Sequence, residues 1–390
     1  MRKESAVSAN KKGHIYLLCA VFIILVSIDG VSGSDFVYKT APSCDNARNV
    51  LVGANYFNGW WEETPNKWQD DITRNNWLEN FPQRRPLLGE YNSQEVMDKE
   101  IKAASEYGID FFQILWYFLD KQTDTTQACP KINKALDYYV NSPNANTMRF
   151  SIEFCNSSPF EVKDFSDWDK CIDIWLKYMK HPAYLRVGGK AVFKVHSAGG
   201  FWGDAGGFEN AKKWIAHLRE RAKDAGIGEL LIGCGSPGIV WEEDWPWKIF
   251  DYSNDYMRVP EIAASENDYP FDVLAKYIIE LRGAQRFDKM PLMPFMAAGW
   301  NPRPWKGHAQ RPSFTMPTRQ QWVRELERTA FDIENMNNMS FPIENGQKQK
   351  IFVIYAWNEY GEGGILAPTQ GEQYMKLEGI RQVFGVKEWK

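Results

Sequence analysis

The sequence lacks the short motifs by which several large classes of protein bind their ligands. It has no Gly-rich phosphate loop, no Asp cluster with EF-hand spacing and no Gly-x-Ser-x-Gly nucleophile elbow. The formal net charge is −4 and no basic patch stands out, so nucleic acid is not an expected partner. These absences disfavour nucleotide-dependent enzymes, calcium-binding modules, hydrolases of the serine-elbow type and nucleic-acid-binding proteins.

Cysteine is sparse, and its spacing matches no common metal site. Of six cysteines, five remain when Cys19 in the N-terminal apolar run is set aside: Cys44, Cys129, Cys155, Cys171 and Cys234. None forms a Cys-x-x-Cys pair, so we expect no zinc site. The odd number leaves at least one thiol unpaired. One disulfide stays open as a possibility, because spacing alone does not define the pairing.

Long apolar runs are absent except near the N-terminus. Lys11 and Lys12 precede an almost purely apolar run from Ile15 to Ile28, which small residues follow up to Gly33. The run is short for a membrane span, so we predict a secretory signal peptide at residues 1–33 and a mature domain at 34–390. An uncleaved signal anchor is the alternative. Either predicts a secreted or periplasmic protein, or one in the secretory lumen, with no membrane contact beyond this segment.

No internal repeat and no linker rich in Pro, Gly and Ser divides the remaining chain, so we predict one domain. Apolar strand candidates alternate with amphipathic helices, which predicts a single (β/α)8 TIM barrel with buried parallel strands. The predicted strands are 49–56, 109–116, 148–154, 190–195, 229–234, 249–252, 291–297 and the run that starts at Lys350. The predicted helices are 93–107, 130–140, 166–180 with Ser166 as N-cap, 207–225, 266–282, 318–335 and 371–383.

The best candidates for catalysis are Glu359 and Glu362, directly after the eighth predicted strand. Catalytic carboxylates stand at such strand ends in barrel enzymes, and the glycines at 361, 363 and 364 allow a sharp turn. In a helical turn their Cβ atoms would lie about 5–6 Å apart. That spacing permits the roughly 5–5.5 Å carboxyl separation of retaining glycosidases, and mutual repulsion would suit one group as acid and the other as base. The alternative is a pair of solvated loop acids.

Other polar and aromatic residues follow the predicted strands. Aromatic residues make up 15% of the chain, with 17 Trp, which fits either a large aromatic core or a cleft whose rings stack on sugars. We predict substrate contacts from ten of these strand-end residues: Tyr56, Trp116, Tyr117, Asn156, His196, Tyr256, Trp300, Arg303, Trp357 and Asn358. Asn55, Asp255 and Asn301 occupy similar positions. Each alone could be structural, and their joint placement is the stronger signal.

The segment from Trp357 to Gly363 resembles the Trp-Asn-Glu-aromatic-x-Glu-Gly signature of glycoside hydrolase family 99 and its relatives, some of which are described as O-antigen glycosyltransferases. Similar segments occur in the right order from about residue 50 to 380: 53–57, 108–111, 116–117, 184–190 and 299–303. The resemblance implies a (β/α)8 barrel that cleaves internal α-mannosidic linkages with retention, without a metal or other cofactor. Its partner would be an oligosaccharide or polysaccharide substrate.

The family mechanism, carried over, assigns a role to each glutamate. Glu359 would act as base on the sugar 2-hydroxyl, whose oxygen attacks the anomeric carbon to form a 1,2-anhydro sugar. Glu362 would protonate the leaving group and later deprotonate water. Three positions depart from the family pattern, namely Asn55, Ser157 and Ala367, so the sugar and the linkage stay open. A glycosyltransferase of polysaccharide biosynthesis and a non-catalytic glycan-binding barrel are the alternative functions.

Overall fold

The computed structural model describes residues 49–119, 130–235, 247–285, 290–343 and 347–389. The predicted signal segment, Cys44 and Cys129 lie outside these ranges. Within them, no helix combines the length and the hydropathy needed to cross a bilayer. The described thiols, those of Cys155, Cys171 and Cys234, are all free and buried.

Within these ranges, twelve strands and eight α-helices are defined. The strands are β1 (Val50–Tyr56), β2 (Phe111–Trp116), β3 (Arg149–Phe154), β4 (Arg186–Val187), β5 (Lys190–Val195), β6 (Leu230–Cys234), β7 (Tyr252–Ser253), β8 (Phe295–Ala297), β9 (Phe341–Pro342), β10 (Lys348–Tyr355), β11 (Asn358–Glu359) and β12 (Gly364–Ile365). The helices are α1 (Gln94–Glu106), α2 (Lys134–Val140), α3 (Phe165–Met179), α4 (Ala198–Asp204), α5 (Phe208–Asp224), α6 (Phe271–Gln285), α7 (Arg319–Asn335) and α8 (Met375–Phe384).

Eight parallel strands form the barrel, in the order β7-β6-β5-β3-β2-β1-β10-β8. The ring closes where β7 pairs with the residues that lead into β8. There the Ser253 amide donates to the carbonyl of Pro291, and the Met293 amide donates to the carbonyl of Ser253, both at 2.9 Å. The predicted (β/α)8 barrel is therefore confirmed.

Alternation along the strands separates two environments. In β1, Val50, Val52, Ala54 and Tyr56 belong to the large core cluster that includes the buried face of α1. Leu51 instead joins a second cluster with Phe111, Val192, Tyr252, Ile351 and Val353 inside the barrel. Gly53 leaves room for the Phe111 ring, since a Cβ there would lie 2.2 Å from it. This second cluster of apolar side chains thus fills part of the barrel interior.

Several element boundaries differ from the predictions. Ser166 is not the N-cap of α3: Asp164 is, because its carboxylate accepts the Ser166 amide hydrogen at 2.7 Å. Helix α6 begins at Phe271 rather than at 266, directly after Pro270, whose fixed φ and missing N–H suit a helix start. Strand β7 lies at 252–253 rather than 249–252. Helices α1 and α7, predicted to start at 93 and 318, begin one residue later, and Ser93 and Thr318 are their N-caps.

Candidate active site

Glu359 and Glu362, which we call the carboxylate pair, lie in a β-hairpin that follows the barrel strand β10. Strands β11 and β12 form the hairpin, and the amides of Glu362 and Gly363 close its turn on the carbonyl of Glu359 at 3.2 and 2.8 Å. Gly363 has φ +84°, and a Cβ there would lie 2.8 Å from the amide nitrogen of Asn301. Only glycine fits this position. The single turn brings together two acids that are three residues apart.

Two tyrosine hydroxyls hold the carboxylate pair. The hydroxyl of Tyr256, after β7, donates to Oε1 of Glu359 at 2.6 Å. The hydroxyl of Tyr355, the last residue of β10, donates to Oε2 of Glu362. The two tyrosine rings meet edge to face at 5.0 Å. Neighbouring barrel segments therefore orient both carboxyl groups before any ligand arrives.

Burial and mutual repulsion set the protonation of the pair. Burial raises the pKa of Glu359 first, and the negative charge of Glu362 raises it further. Burial also raises the pKa of Glu362, against the hydrogen bond from Tyr355. The nearby Lys67 favours the ionised form of both groups, but less strongly than burial disfavours it. Such a pair retains one proton over a range in which isolated carboxyls are ionised, which supplies one acid and one base.

A third acid, Glu153, lies buried inside the barrel and was missed at the sequence level. Its Oε1 is 2.9 Å from Nζ of Lys194 and 2.7 Å from Nδ1 of His196, while Oε2 accepts from Asn55 and Gln113 at 3.1 and 2.7 Å. Burial acts to raise the pKa of Glu153, but Lys194 and His196 outweigh it and lower the pKa to about 2. The ionised form of Glu153 is therefore favoured, and its hydrogen bond orients His196.

The predicted residues His196, Tyr256 and Tyr117 lie near the carboxylate pair. The ring of His196 is 5.1 Å from that of Tyr256, which itself bonds Glu359. Burial raises the pKa of Tyr117, and the negative charge of Glu359 adds to this effect. The structure therefore places Tyr256 against the pair and His196 beside Tyr256, while Tyr117 interacts with Glu359 electrostatically.

Four predicted aromatic residues pack elsewhere. Tyr56 donates its hydroxyl to Glu100 on α1 at 2.7 Å, and Trp116 packs edge to face on Trp175 of α3 at 5.2 Å. Trp357 lies 5.1 Å from Phe112, and the indole of Trp300 donates to the carbonyl of Pro312 at 3.0 Å. All four are buried. These positions make them part of the scaffold that supports the site.

The two predicted asparagines bind backbone rather than open space. The Asn358 side chain donates to the carbonyl of Phe57 and accepts from its amide, both at 2.8 Å. Asn156 makes the same pair of bonds with Ser197, at 3.0 and 2.8 Å. Each side-chain amide thus joins two loops at the same end of the barrel. These bonds occupy both side chains, so they are not available to a ligand.

Two arginines hold the loop after β8. Arg303, a predicted site residue, pairs through Nε with Asp268 at 2.6 Å. Arg84, which sequence reasoning missed, is buried and donates to the carbonyls of Tyr360 and Asn301 at 2.8 and 2.9 Å. The Asn301 amide in turn donates to the carbonyl of Glu362 at 2.6 Å. Arg84 thereby clamps the turn that carries the carboxylate pair.

The signals for these missed residues were weak but present. Glu153 and Lys194 interrupt otherwise apolar strands, and they are register partners on β3 and β5. Because a buried charge is costly unless it is paired, opposite charges in two buried strands indicate that the two strands lie next to each other. Arg84 stands in a polar loop with no periodic pattern, so no signal identified it.

Comparison with known proteins supports the fold. No protein-family model matches the chain, and no curated protein matches it. A solved structure of the GH99 endo-alpha-mannosidase from Bacteroides thetaiotaomicron is 14% identical, with a TM-score of 0.52, over 86% of this chain and 96% of that chain. The same enzyme in complex with BIS-TRIS-propane is 15% identical, with a TM-score of 0.50 and the same coverage. This chain therefore resembles glycoside hydrolase family 99 in its fold, a (β/α)8 barrel.

Proposed function

We propose that the protein is a secreted retaining glycoside hydrolase that cleaves α-mannoside-type or related α-linked glycans internally. The observation that carries the proposal is the carboxylate pair in one turn at the C-terminal end of the barrel, held by two tyrosines, with burial raising the pKa of both groups. Polysaccharide and oligosaccharide hydrolysis needs such an acid and base within one site. The α-mannoside preference rests on the name of the similar solved enzyme.

The first step would use the sugar's own 2-hydroxyl as nucleophile. Glu359 accepts the hydroxyl proton while the 2-oxygen attacks the anomeric carbon. The bond from that carbon to the leaving oxygen breaks, and Glu362 gives its proton to the leaving oxygen. The products are a 1,2-anhydro sugar, a protonated Glu359 and an ionised Glu362.

The second step would reverse these roles. Glu362 takes a proton from water, whose oxygen attacks the anomeric carbon and opens the three-membered ring. Glu359 returns its proton to the 2-oxygen. Two inversions at one carbon give net retention of the anomeric configuration, and both glutamates regain their starting protonation.

The shared proton must be on Glu362 when the first step begins. In the substrate-free site, burial and the charge of Glu362 favour a protonated Glu359. A sugar 2-hydroxyl that donates a hydrogen bond to Glu359 stabilises its ionised form, as Tyr256 already does. Substrate binding would therefore shift the proton to Glu362, where the leaving oxygen needs it.

The test is a panel of α-linked oligosaccharides incubated with the protein, with the newly formed anomer followed by NMR. We expect cleavage of an α-mannoside with retention of configuration in the first product. An inverted first product would contradict the participation mechanism. Transfer from a nucleotide sugar, without hydrolysis, would favour a glycosyltransferase, and glycan binding without any product would favour a non-catalytic barrel.

A further inference from the structure

A cleft of about 410 Å³ opens beside the carboxylate pair, between the loop after β1 and the loop after β8. Lys67, Asp71, Arg74, Trp305 and His308 line it. Trp305 packs on the catalytic turn so closely that a Cβ on Gly361 would lie 2.3 Å from its ring. Lys67 interacts electrostatically with both Glu359 and Glu362. The cleft therefore lies next to the proposed site.

The walls of this cleft are tied together by hydrogen bonds. The carboxylate of Asp70 accepts the amide of Lys306 at 2.8 Å, and that of Asp71 accepts the amide of Gly307 at 3.0 Å. The indoles of Trp77 and Trp305 donate to the carbonyl of Lys67 at 2.8 and 3.3 Å. The bonds to the amides of Lys306 and Gly307 and the bond from Trp305 cross from one loop to the other, and the Trp77 bond fixes the first loop internally. The cleft is therefore built before a ligand binds.

Two cationic side chains, Lys67 and Arg74, line the cleft against one lining acid, Asp71, and the carboxylate pair beside the cleft attracts Lys67 as well. No salt bridge involves Lys67 or Arg74 across the part of the chain that the structure describes. Burial lowers the pKa of Lys67, and the charge of Arg74 contributes to the same effect. Asp71 is the one acid among the described lining residues, and it already accepts the Gly307 amide. Nδ1 of His308 is buried with no hydrogen-bond partner there.

We propose that the cleft binds an acidic substituent, either a carboxylate or a phosphate or sulfate ester, on the glycan held at the carboxylate pair. This inference rests on the proposed glycosidase function and narrows its substrate to an anionic glycan. Arg74 presents a guanidinium fork and Lys67 a point charge, both suited to anionic oxygens. The half-buried ring of Trp305 offers a stacking face for the sugar that carries the acid.

Binding is measured by calorimetry on the Glu362→Gln variant, which would hold substrates without turning them over. The probes are neutral α-1,2-linked mannobiose, the same disaccharide with a 6-phosphate on either residue, and an analogue in which a uronic acid replaces one mannose. We expect the acidic disaccharides to bind about tenfold more tightly at low ionic strength, and the gain to shrink as salt rises. The phosphate and uronate arms separate the two sources of charge.

Arg74→Gln should reduce the affinity gain of the acidic disaccharides, and Arg74→Glu should reverse it. Lys212→Gln, on the exposed face of α5, removes the same unit charge and should leave the affinity gain unchanged. Because Arg74 is exposed, we expect both Arg74 variants to fold, and thermal melting checks this. Equal affinity for neutral and acidic probes, with no response to either Arg74 variant, would overturn the inference. Absence of hydrolysis by the wild type would defeat the proposed function instead, because the binding comparison does not require turnover.

Discussion

The hydroxyl of Tyr256 donates a 2.6 Å hydrogen bond to Oε1 of Glu359 and joins the segment after β7 to the turn after β10. Tyr256 also meets the ring of Tyr355, which holds Glu362, so the two supports of the carboxylate pair touch each other. The bond stabilises the ionised form of a group that burial pushes toward protonation. The hydrogen bond from Tyr256 thus opposes the effect of burial on the pKa of the proposed base.

Tyr256→Phe should therefore weaken the base without removing it. A hydrogen bond to a charged group is worth about 1.5–3 kcal/mol, so we expect kcat/KM to fall about 10- to 100-fold. The loss of this donor raises the pKa of Glu359 further, which should move the acidic limb of the pH–rate profile to higher pH. Tyr269→Phe, which removes a hydroxyl bonded to the carbonyl of Ala263, is the matched control. An unmoved acidic limb in Tyr256→Phe would argue against Glu359 as the base.

The two glutamates should respond differently to the leaving group. Glu362→Gln should lower turnover of an unactivated α-glycoside by about 10²- to 10⁴-fold, because general acid catalysis is lost. An aryl glycoside whose phenol leaves without protonation should restore much of the first step. Glu359→Gln should not recover on that substrate, since the 2-hydroxyl would still lack its base. Recovery of activity in both variants, or in neither, would contradict the assigned roles. Glu95→Gln, at a side chain that is 78% exposed, serves as the control.

Arg84 should contribute mainly to stability and to the geometry of the turn. Arg84→Gln leaves the carbonyls of Tyr360 and Asn301 without their buried donor. We expect the free energy of unfolding in urea to fall by about 2–4 kcal/mol. The neighbouring Arg85, whose side chain is 37% exposed and paired with Glu90, offers the contrast: Arg85→Gln should change stability by about 0–1 kcal/mol. Similar losses in the free energy of unfolding for the two variants would show that the Arg84 hydrogen bonds do not stabilise the fold more than a surface ion pair does.

Glu100 should make stability depend on pH. Burial raises its pKa from the ordinary 4.5 to about 7, although Tyr56 donates to it. The Glu100 carboxyl loses its proton near pH 4.5 in the unfolded chain but near pH 7 in the folded chain. The protonated carboxyl therefore contributes its full stabilisation below pH 4.5, and this stabilisation is lost as pH rises through about 7. The change is about 3 kcal/mol, at about 1.4 kcal/mol per pKa unit.

Glu100→Gln keeps the shape and an acceptor for Tyr56 but cannot ionise. Thermal melting from pH 4.5 to 7 should show a flatter decline for this variant than for the wild type. Glu106→Gln, at the exposed end of the same helix, should reproduce the wild-type decline. A Glu100 variant with the full wild-type slope would show that Glu100 ionises normally in the folded protein.

The sequence by itself determined the barrel and the position of the carboxylate pair. Both depend on local features: alternation of apolar runs with amphipathic helices, and two acids beside glycines at a strand end. The i,i+3 spacing permitted one turn to hold Glu359 and Glu362, and the structure places both in one turn, closed by amides on the Glu359 carbonyl.

Only the tertiary structure decided which way the strand-end side chains point and what they meet. Adjacent residues such as Asn55 and Tyr56 face opposite sides of β1, so one contacts Glu153 in the barrel and the other contacts Glu100 on α1. Arg84 reaches residues more than two hundred positions away in the chain. Such contacts depend on closure of the ring and on loop paths, and no short stretch of sequence encodes them.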